Sequence, residues 1–237
     1  MGGTRSTMKF AIVNGDDFGA SRGINRGIIE AHRHGILTST SLLVNTPWSE
    51  EAASLARAAP ELSVGLHVDL LRDREQPARS IGDDHCRAEL HAQVARFHAL
   101  MGCPPTHLDV HHNLHREPRL LPHFLEVARQ HGLPLREHSR VRYFSKFYGQ
   151  WGGQIHLEQI SAESLARMLE TEFGEGITEL SCHPGYPDPH FSSNYSTERE
   201  TELRTLCDPL IRRVLLEQSI QLINYRRLGA LAVDSPA

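Results

Sequence analysis

The sequence predicts an α/β fold, most simply a single-domain, distorted β/α barrel of the TIM-barrel type. Short apolar, β-rich runs alternate with helical patterns along the whole chain, and no linker or internal repeat interrupts them. The chain has 237 residues, a length at which α/β barrels are common. A doubly wound open sheet is the alternative for the same alternation. No G-x-G-x-x-G or Walker loop is present, which argues against a nucleotide-binding sheet.

The predicted strands are short runs of apolar and β-branched residues that end at polar residues or turns. In parallel α/β sheets the carboxyl ends of such strands carry the functional residues. The predicted strands are 10–13, 42–44 within a β-rich run at 36–45, 62–70, 106–111, 133–137, 177–182 and 220–225.

The predicted helices show apolar residues at three- and four-residue spacing between caps and breakers. In the first helix Ile24, Ile28 and Ala31 form the apolar side, and Gly35 ends it. The predicted helices are 21–34, 50–59, 84–101, 118–130, 161–173 and 197–218, the last interrupted near Pro209.

Two segments between these elements are predicted to be loops. Residues 71–83 are polar and contain Pro77 and Gly82. Residues 139–160 are rich in aromatic residues and have no clear period, which is typical either of a lid or binding loop or of a loop packed down on the barrel.

Composition restricts the classes of function. The net charge is -4 with both signs interspersed, and no basic block is present, so we expect no nucleic-acid partner. No run reaches the length of a membrane span. We expect residues 1–8 to be a flexible leader without a secretory signal, and residues 9–237 to form the domain. Four scattered cysteines indicate a reducing, cytoplasmic setting, and sixteen histidines indicate metal or acid–base chemistry.

The first strand ends in two adjacent carboxylates, Asp16 and Asp17, just before a helix begins. Because neighbouring residues of a strand point to opposite sides, one could hold a metal while the other handles a proton. The alternative is a turn with a cap for the next helix, which is the usual role of an isolated Asp-Asp pair.

Four predicted strand ends carry residues that bind metals or move protons. In a barrel these ends meet at one face, so residues distant in sequence share one centre. A lone histidine is more often structural, but several at successive strand ends are not expected by accident. The residues are Asp16 and Asp17, then His67, then His107, Asp109 and His111 with His115 just beyond, and finally His183.

Asp17, His67 and His111 would form an open three-ligand site for one divalent metal ion. Such an ion polarises a carbonyl and lowers the pKa of its bound water. Asp16 could take the water proton, and His183 could return a proton to the leaving group. Together these groups suit metal-assisted hydrolysis of an amide or ester.

A supporting layer is expected behind the ligands. His107, Asp109 and His111 share parity and face one side of an extended segment. His111 lies at the strand exit, so the deeper residues, above all Asp109, would orient it. We assign His107 and His115 to the same layer.

Four ordered motifs, from about Lys9 to Leu228, resemble those of the YdjC-like carbohydrate deacetylase family, which includes chitooligosaccharide and hopanoid-associated members. They are NGDDFG at 14–19, GLH at 65–67, THLDVH at 106–111 and ELSCHPGY at 179–186. The resemblance implies a distorted β/α barrel that removes N-acetyl groups from amino sugars with one divalent metal ion, Mg²⁺ or Zn²⁺.

The same resemblance implies roles by position: Asp16 as general base, Asp17, His67 and His111 as ligands, and His183 as general acid. One departure is visible. The family's usual H-x-D-x-H-x-H-x-H run has Asn113 in place of a histidine here, and we prefer His111 as ligand because it lies at the strand end.

Three further residues are candidates for substrate binding. Arg136 follows another short strand, and it could position a substrate hydroxyl or Asp16, or form only a surface ion pair. Tyr148 and Trp151 lie in the aromatic segment and could stack on sugar rings.

Two other functions stay open at this stage. A phosphoesterase on a β/α barrel would want more positive charge or a two-metal cluster. A non-catalytic sugar- or metal-binding protein would not need a base beside its ligand. The expected partner is an N-acetylated sugar, either chitooligosaccharide-like or a glycolipid headgroup. A homodimer contact through helix 197–218 is one of two placements for that helix, the other being against the barrel.

Overall fold

The computed structural model describes residues 8–71, 81–189, 191 and 193–231. The predicted leader, apart from Met8, and most of the predicted loop 71–83 lie outside the described residues. No helix in the described ranges is long and apolar enough to cross a membrane. The four cysteines are all described and all free.

The described chain alternates strands and helices, as the sequence predicts. The strands are β1 Lys9–Phe18, β2 Ser39–Leu42, β3 Ser63–Val68, β4 Leu108–Val110, β5 Arg142–Phe144, β6 Gln150–Trp151, β7 Gln154–Ile155, β8 Gly176–Cys182 and β9 Ile220–Leu222. The helices are α1 Arg22–His34, α2 Ser49–Arg57, α3 Asp83–Met101, α4 Leu121–His131, α5 Ala162–Glu172, α6 Thr197–Leu206, α7 Pro209–Glu217 and α8 Leu228–Leu231.

The main sheet is parallel throughout and runs in the order β4-β3-β2-β1-β8-β5, with β9 also paired to the start of β1. An isolated parallel bridge from Leu135 to Leu108 extends the β4 edge. Helices connect successive strands, and the sheet curls into a partial barrel with its carboxyl ends at one face. The predicted α/β, barrel-like fold is confirmed.

The interruption predicted near Pro209 in the helix 197–218 is confirmed, because the Asp208 side chain accepts the Leu210 N–H at 2.8 Å and starts α7 with Pro209 in its first turn. Other predicted elements differ in extent. The segment 139–160 is not a loop throughout, since it contains β5, the β6–β7 hairpin and a 3₁₀ turn. The predicted strand 133–137 is reduced to the single bridge at Leu135.

The two faces of the sheet are chemically different. Alternate strand residues such as Val13, Leu66 and Val110 face the helices and belong to the main apolar core. Their neighbours face the barrel interior, which is apolar only at its lower end, where Ile12 packs with Tyr225. Above this apolar layer the interior is filled by buried polar and charged side chains. The fold therefore places its charged groups below the carboxyl ends of the strands.

His107 lies deep in this interior and is a structural residue. Its ring stacks on Tyr225 with centroids 3.8 Å apart, and Thr106 Oγ1 lies 3.0 Å from its Nδ1. Burial lowers the pKa of His107 to about 4, so the ring is neutral. Gly65 provides the space for it, because a Cβ built on Gly65 would lie 2.4 Å from the His107 ring.

We therefore predict that Gly65→Ala lowers the free energy of unfolding by about 1–3 kcal/mol, because the new methyl group must displace a stacked, buried ring. Urea denaturation measures this change. Gly174→Ala is the control, since a Cβ at that position meets nothing within 4 Å. Equal stability of Gly65→Ala and the parent protein would contradict the assigned packing.

Candidate active site

Asp16 and Asp17 lie where β1 becomes irregular. The register of β1 against β2 shifts between Gly15 and Phe18, and Asp17 has a left-handed backbone with φ 69°. This break in the strand removes the regular alternation of side chains. The expectation that the two carboxylates point to opposite sides is therefore wrong, since both line the same cavity.

The structure brings Asp17, His67 and His111 together at the top of the barrel. Asp17 Oδ1 lies 3.3 Å from His67 Nε2 and 3.2 Å from His111 Nδ1, and these two nitrogens are 3.2 Å apart. Among the described residues Asp17 Oδ1 has no hydrogen-bond partner of acceptable geometry.

This donor set fits a small divalent ion. Ligand atoms about 2.0–2.1 Å from a tetrahedral ion lie roughly 3.3 Å from one another. The observed separations of the oxygen and the two nitrogens match this spacing. His111 is partly exposed to the cavity whereas Asp17 and His67 are buried, so the set is open on one side.

Asp109 orients His67. Its Oδ1 lies 2.6 Å from His67 Nδ1, which directs Nε2 of the ring toward Asp17. Burial opposes protonation of His67, but Asp109 and Asp17 outweigh it and raise the pKa of the imidazole well above its ordinary value. The sequence placed Asp109 behind His111, whereas its contact is with His67.

Arg136 is buried against three carboxylates. Its Nη1 and Nη2 donate to Asp16 Oδ2 and Oδ1 at 2.7 and 2.8 Å, and Nη2 also lies 2.6 Å from Glu179 Oε1 and 2.8 Å from Asp109 Oδ2. The side chain is 1% exposed, so the surface ion pair considered from the sequence is wrong. Arg136 fixes the Asp16 carboxylate and does not line the cavity. Asn14 Nδ2 adds a bond to Asp16 Oδ1 at 2.8 Å.

His183 follows β8 and lies beside Asp16 in the cavity, with its Nε2 3.9 Å from Asp16 Oδ2. Glu202 of α6 accepts the His183 backbone N–H, and its Oε1 lies 3.9 Å from His183 Nδ1. The Tyr195 hydroxyl donates to the same Oε1 at 2.5 Å. Burial disfavours the charged ring, but Glu202, Asp16 and Asp17 outweigh it and raise the pKa of His183.

Sequence reasoning missed Arg199 and Glu202, both on α6. Arg199 Nη2 donates to Asp17 Oδ2 at 2.5 Å. Burial opposes the charge on Asp17, but Arg199 and the two imidazoles outweigh it and hold the pKa of Asp17 well below its ordinary value. The available signal was the three-residue spacing, which puts Arg199 and Glu202 on one helix face.

Other predicted residues lie further from the centre. His115 is buried, and its Nε2 lies 2.8 Å from Glu137 Oε2 rather than beside a proposed ligand. Trp151 is half exposed on the β6–β7 hairpin and stacks on His156 at 3.6 Å. Tyr148 lines the cavity, stacked on Tyr195 with centroids 4.7 Å apart.

The cavity above these groups has a volume of about 730 Å³, within the range of small-molecule sites. Acidic and imidazole groups form its floor, and aromatic and hydroxyl groups form its wall. Its wall includes Tyr143, Ser145, Tyr148, Ser181, Phe191 and Tyr195.

Comparisons with known proteins agree on one family. The model of the YdjC-like protein family matches residues 10–217. A chitooligosaccharide deacetylase of Proteus mirabilis (strain HI4320) is 36% identical over 255 residues, covering 92% of this chain and 98% of that protein. A carbohydrate deacetylase of Geobacillus stearothermophilus is 34% identical over 253 residues, covering 94% of this chain and 99% of that protein.

Solved structures share the fold. A protein of Enterococcus faecalis V583, described as a candidate cellobiose-phosphate cleavage protein, has a TM-score of 0.79 at 28% identity, covering 94% of this chain and 99% of that one. A family 4 carbohydrate esterase from Streptomyces lividans has a TM-score of 0.56 at 12% identity, covering 92% and 93%, which shows the fold alone. The resemblance carried by the four sequence motifs is confirmed, and the chain belongs to the YdjC-like protein family.

Proposed function

We propose that this protein is a metal-dependent hydrolase that removes the N-acetyl group from an amino sugar. The observation that carries the proposal is the convergence of Asp17, His67 and His111 on one point, with the Asp16 carboxylate and the His183 imidazole beside them. The names of the relatives, chitooligosaccharide and carbohydrate deacetylase, support the substrate class.

Asp17, His67 and His111 would hold the ion. When bound there, a divalent ion polarises an amide carbonyl and acidifies a water molecule. Two imidazoles and one carboxylate suit Zn²⁺, with Mg²⁺ as the alternative. Asp109 binds Nδ1 of His67 and so directs Nε2 toward the ion, and Arg199 keeps Asp17 ionised.

Asp16 acts as the general base in this proposal. Both of its oxygens are bound by Arg136, so the carboxylate cannot rotate away from the cavity. Its position next to Asp17 in sequence, on the same side of the cavity, keeps it beside the reacting water. Arg136 is thus a positioning residue for Asp16, which is one of the roles considered from the sequence, rather than a residue that binds substrate.

His183 acts as the general acid. Its raised pKa favours the imidazolium form, which can protonate the departing amine. Glu202 holds the His183 main chain and supplies the charge that stabilises the imidazolium. The base and the acid, 3.9 Å apart, therefore both line the cavity in which an amide would sit.

The aromatic wall provides a place for the sugar ring. Tyr148 is 38% exposed, stacks on Tyr195 and lies edge-on to His183 at 5.7 Å. A sugar ring against Tyr148 would put its substituents near the general acid. Trp151 does not line the cavity, so we assign it contact with a longer substrate only.

Two observations argue against the rival functions. A second group that could hold a cation, Asp16, His67 and Asp109, already binds the Arg136 guanidinium through its two carboxylates, which disfavours a two-metal phosphoesterase. A binding protein would not require a fixed carboxylate beside the ion. Phosphorylated sugars nevertheless belong in the assay because of the Enterococcus faecalis relative's description.

The test of the function is an acetate-release assay on metal-depleted protein, before and after addition of Zn²⁺ or Mg²⁺. The substrates are N-acetylated chito-oligosaccharides and glycolipid headgroups, with phosphate esters in parallel. We expect acetate release from an amino sugar that disappears on depletion and returns with metal. Phosphate release instead would support the phosphoesterase, and bound metal without either product would support the binding protein.

Two variants, Asp16→Asn and His67→Gln, distinguish the proposed general base from the proposed metal ligands. We predict that Asp16→Asn lowers turnover by about 10²- to 10⁴-fold with unchanged metal content, because only the proton acceptor is lost. His67→Gln lowers both turnover and metal content. Turnover and elemental analysis of the same preparations measure this. Normal turnover in Asp16→Asn would refute the assignment of the base.

The variant Glu202→Gln tests whether the Glu202 carboxylate stabilises the protonated form of His183. The acid works when protonated, so activity falls as the pH rises through the raised pKa of His183. Removing the Glu202 charge lowers this pKa, and we predict that the alkaline limb of the kcat profile moves to lower pH. Glu200→Gln on the same helix is the control. An unmoved alkaline limb in Glu202→Gln would contradict this role.

A further inference from the structure

Arg199 divides the two oxygens of Asp17 between different partners. Its Nη2 binds Asp17 Oδ2 at 2.5 Å, whereas Oδ1 faces the nitrogens of His67 and His111 at 3.3 and 3.2 Å. Only Oδ1 is therefore directed to the point where the donor atoms converge. A carboxylate held in this way offers an ion one oxygen.

The Arg199 side chain is itself held in place. Its backbone carbonyl accepts the Gly185 N–H at 3.2 Å, its Nη1 lies 3.4 Å from the His183 carbonyl oxygen, and its guanidinium lies 5.8 Å from the Tyr195 ring centroid. The side chain is 8% exposed. Arg199 thus links the loop after β8 to the end of β1 and leaves Asp17 little freedom to turn.

We propose that Arg199 is a positioning residue that confines Asp17 to a single coordinating oxygen, so that the site selects small divalent ions over larger ones such as Ca²⁺. The inference rests on the metal site of the proposed function. Zn²⁺ takes four ligands at short distances, whereas Ca²⁺ takes six to eight oxygens and readily uses both oxygens of a carboxylate. Blocking Oδ2 removes one oxygen that Ca²⁺ would use.

Comparing the affinities for two ions separates the effect of the Arg199 charge from the effect of Arg199 on the orientation of Asp17. Arg199 also repels any cation bound nearby, and its removal strengthens the binding of all divalent ions by a similar factor. The ratio of Zn²⁺ to Ca²⁺ affinity cancels that common factor and reports the coordination of Asp17. The measurement is calorimetric titration of metal-depleted protein with zinc chloride and calcium chloride.

In Arg199→Gln we expect the ratio of Zn²⁺ to Ca²⁺ affinity to fall by about tenfold or more, the usual size of an effect from a residue that orients a ligand. Arg204→Gln removes an exposed charge from the same helix and should leave the ratio unchanged. Arg199→Lys keeps the charge without the planar fork and should lower the ratio by a smaller factor. If circular dichroism shows that Arg199→Gln does not fold, the ratio of affinities measured for Arg199→Lys decides whether the inference holds.

An unchanged ratio in the folded Arg199 variants would overturn the inference while leaving the proposed function intact. Failure of the parent protein to bind Zn²⁺ would overturn the inference, and failure to bind either Zn²⁺ or Mg²⁺ would overturn the proposed function as well. A fall in the ratio of equal size in Arg204→Gln would also overturn the inference, because the effect would then not depend on the contact between Arg199 and Asp17.

Discussion

The buried carboxylates of the barrel interior depend on two guanidinium groups. Burying a carboxylate is costly unless a partner charge and hydrogen bonds compensate it. Arg136 lies among Asp16, Asp109 and Glu179, and Arg199 binds Asp17. Without these pairs the buried carboxylates would repel one another with no compensating charge, and the site would lose the arrangement that its proposed chemistry requires.

The two arginines also give different roles to Asp16 and Asp17, the adjacent carboxylates of β1. The left-handed backbone at Asp17 turns both side chains into one cavity, where two free carboxylates could exchange roles. Arg136 binds both oxygens of Asp16, whereas Arg199 binds one oxygen of Asp17. Asp16 is thereby kept for proton transfer and Asp17 keeps one oxygen for an ion. The different roles of Asp16 and Asp17 in the proposed mechanism therefore follow from the arginine that each carboxylate binds.

Much of the fold and of the centre could be predicted because both follow from periodicity. Alternating strands and helices indicated a parallel sheet, and ends of parallel strands meet, so the approach of His67 and His111 to Asp17 was expected. Arg199 and Glu202 could not be found in this way, because charged residues of an amphipathic helix are normally solvated. The shared orientation of Asp16 and Asp17 was missed because it depends on the left-handed backbone of Asp17, which the presence of an Asp in the sequence does not indicate.

Anomalous diffraction at the zinc edge, measured on crystals of the zinc-loaded protein, tests whether side chains at the carboxyl ends of three strands share one cation. The account predicts a peak within coordination distance of Asp17 Oδ1, His67 Nε2 and His111 Nδ1, which already lie 3.2–3.3 Å apart. Zinc held by other residues, or no peak between these three atoms at full occupancy of the protein with metal, would contradict it.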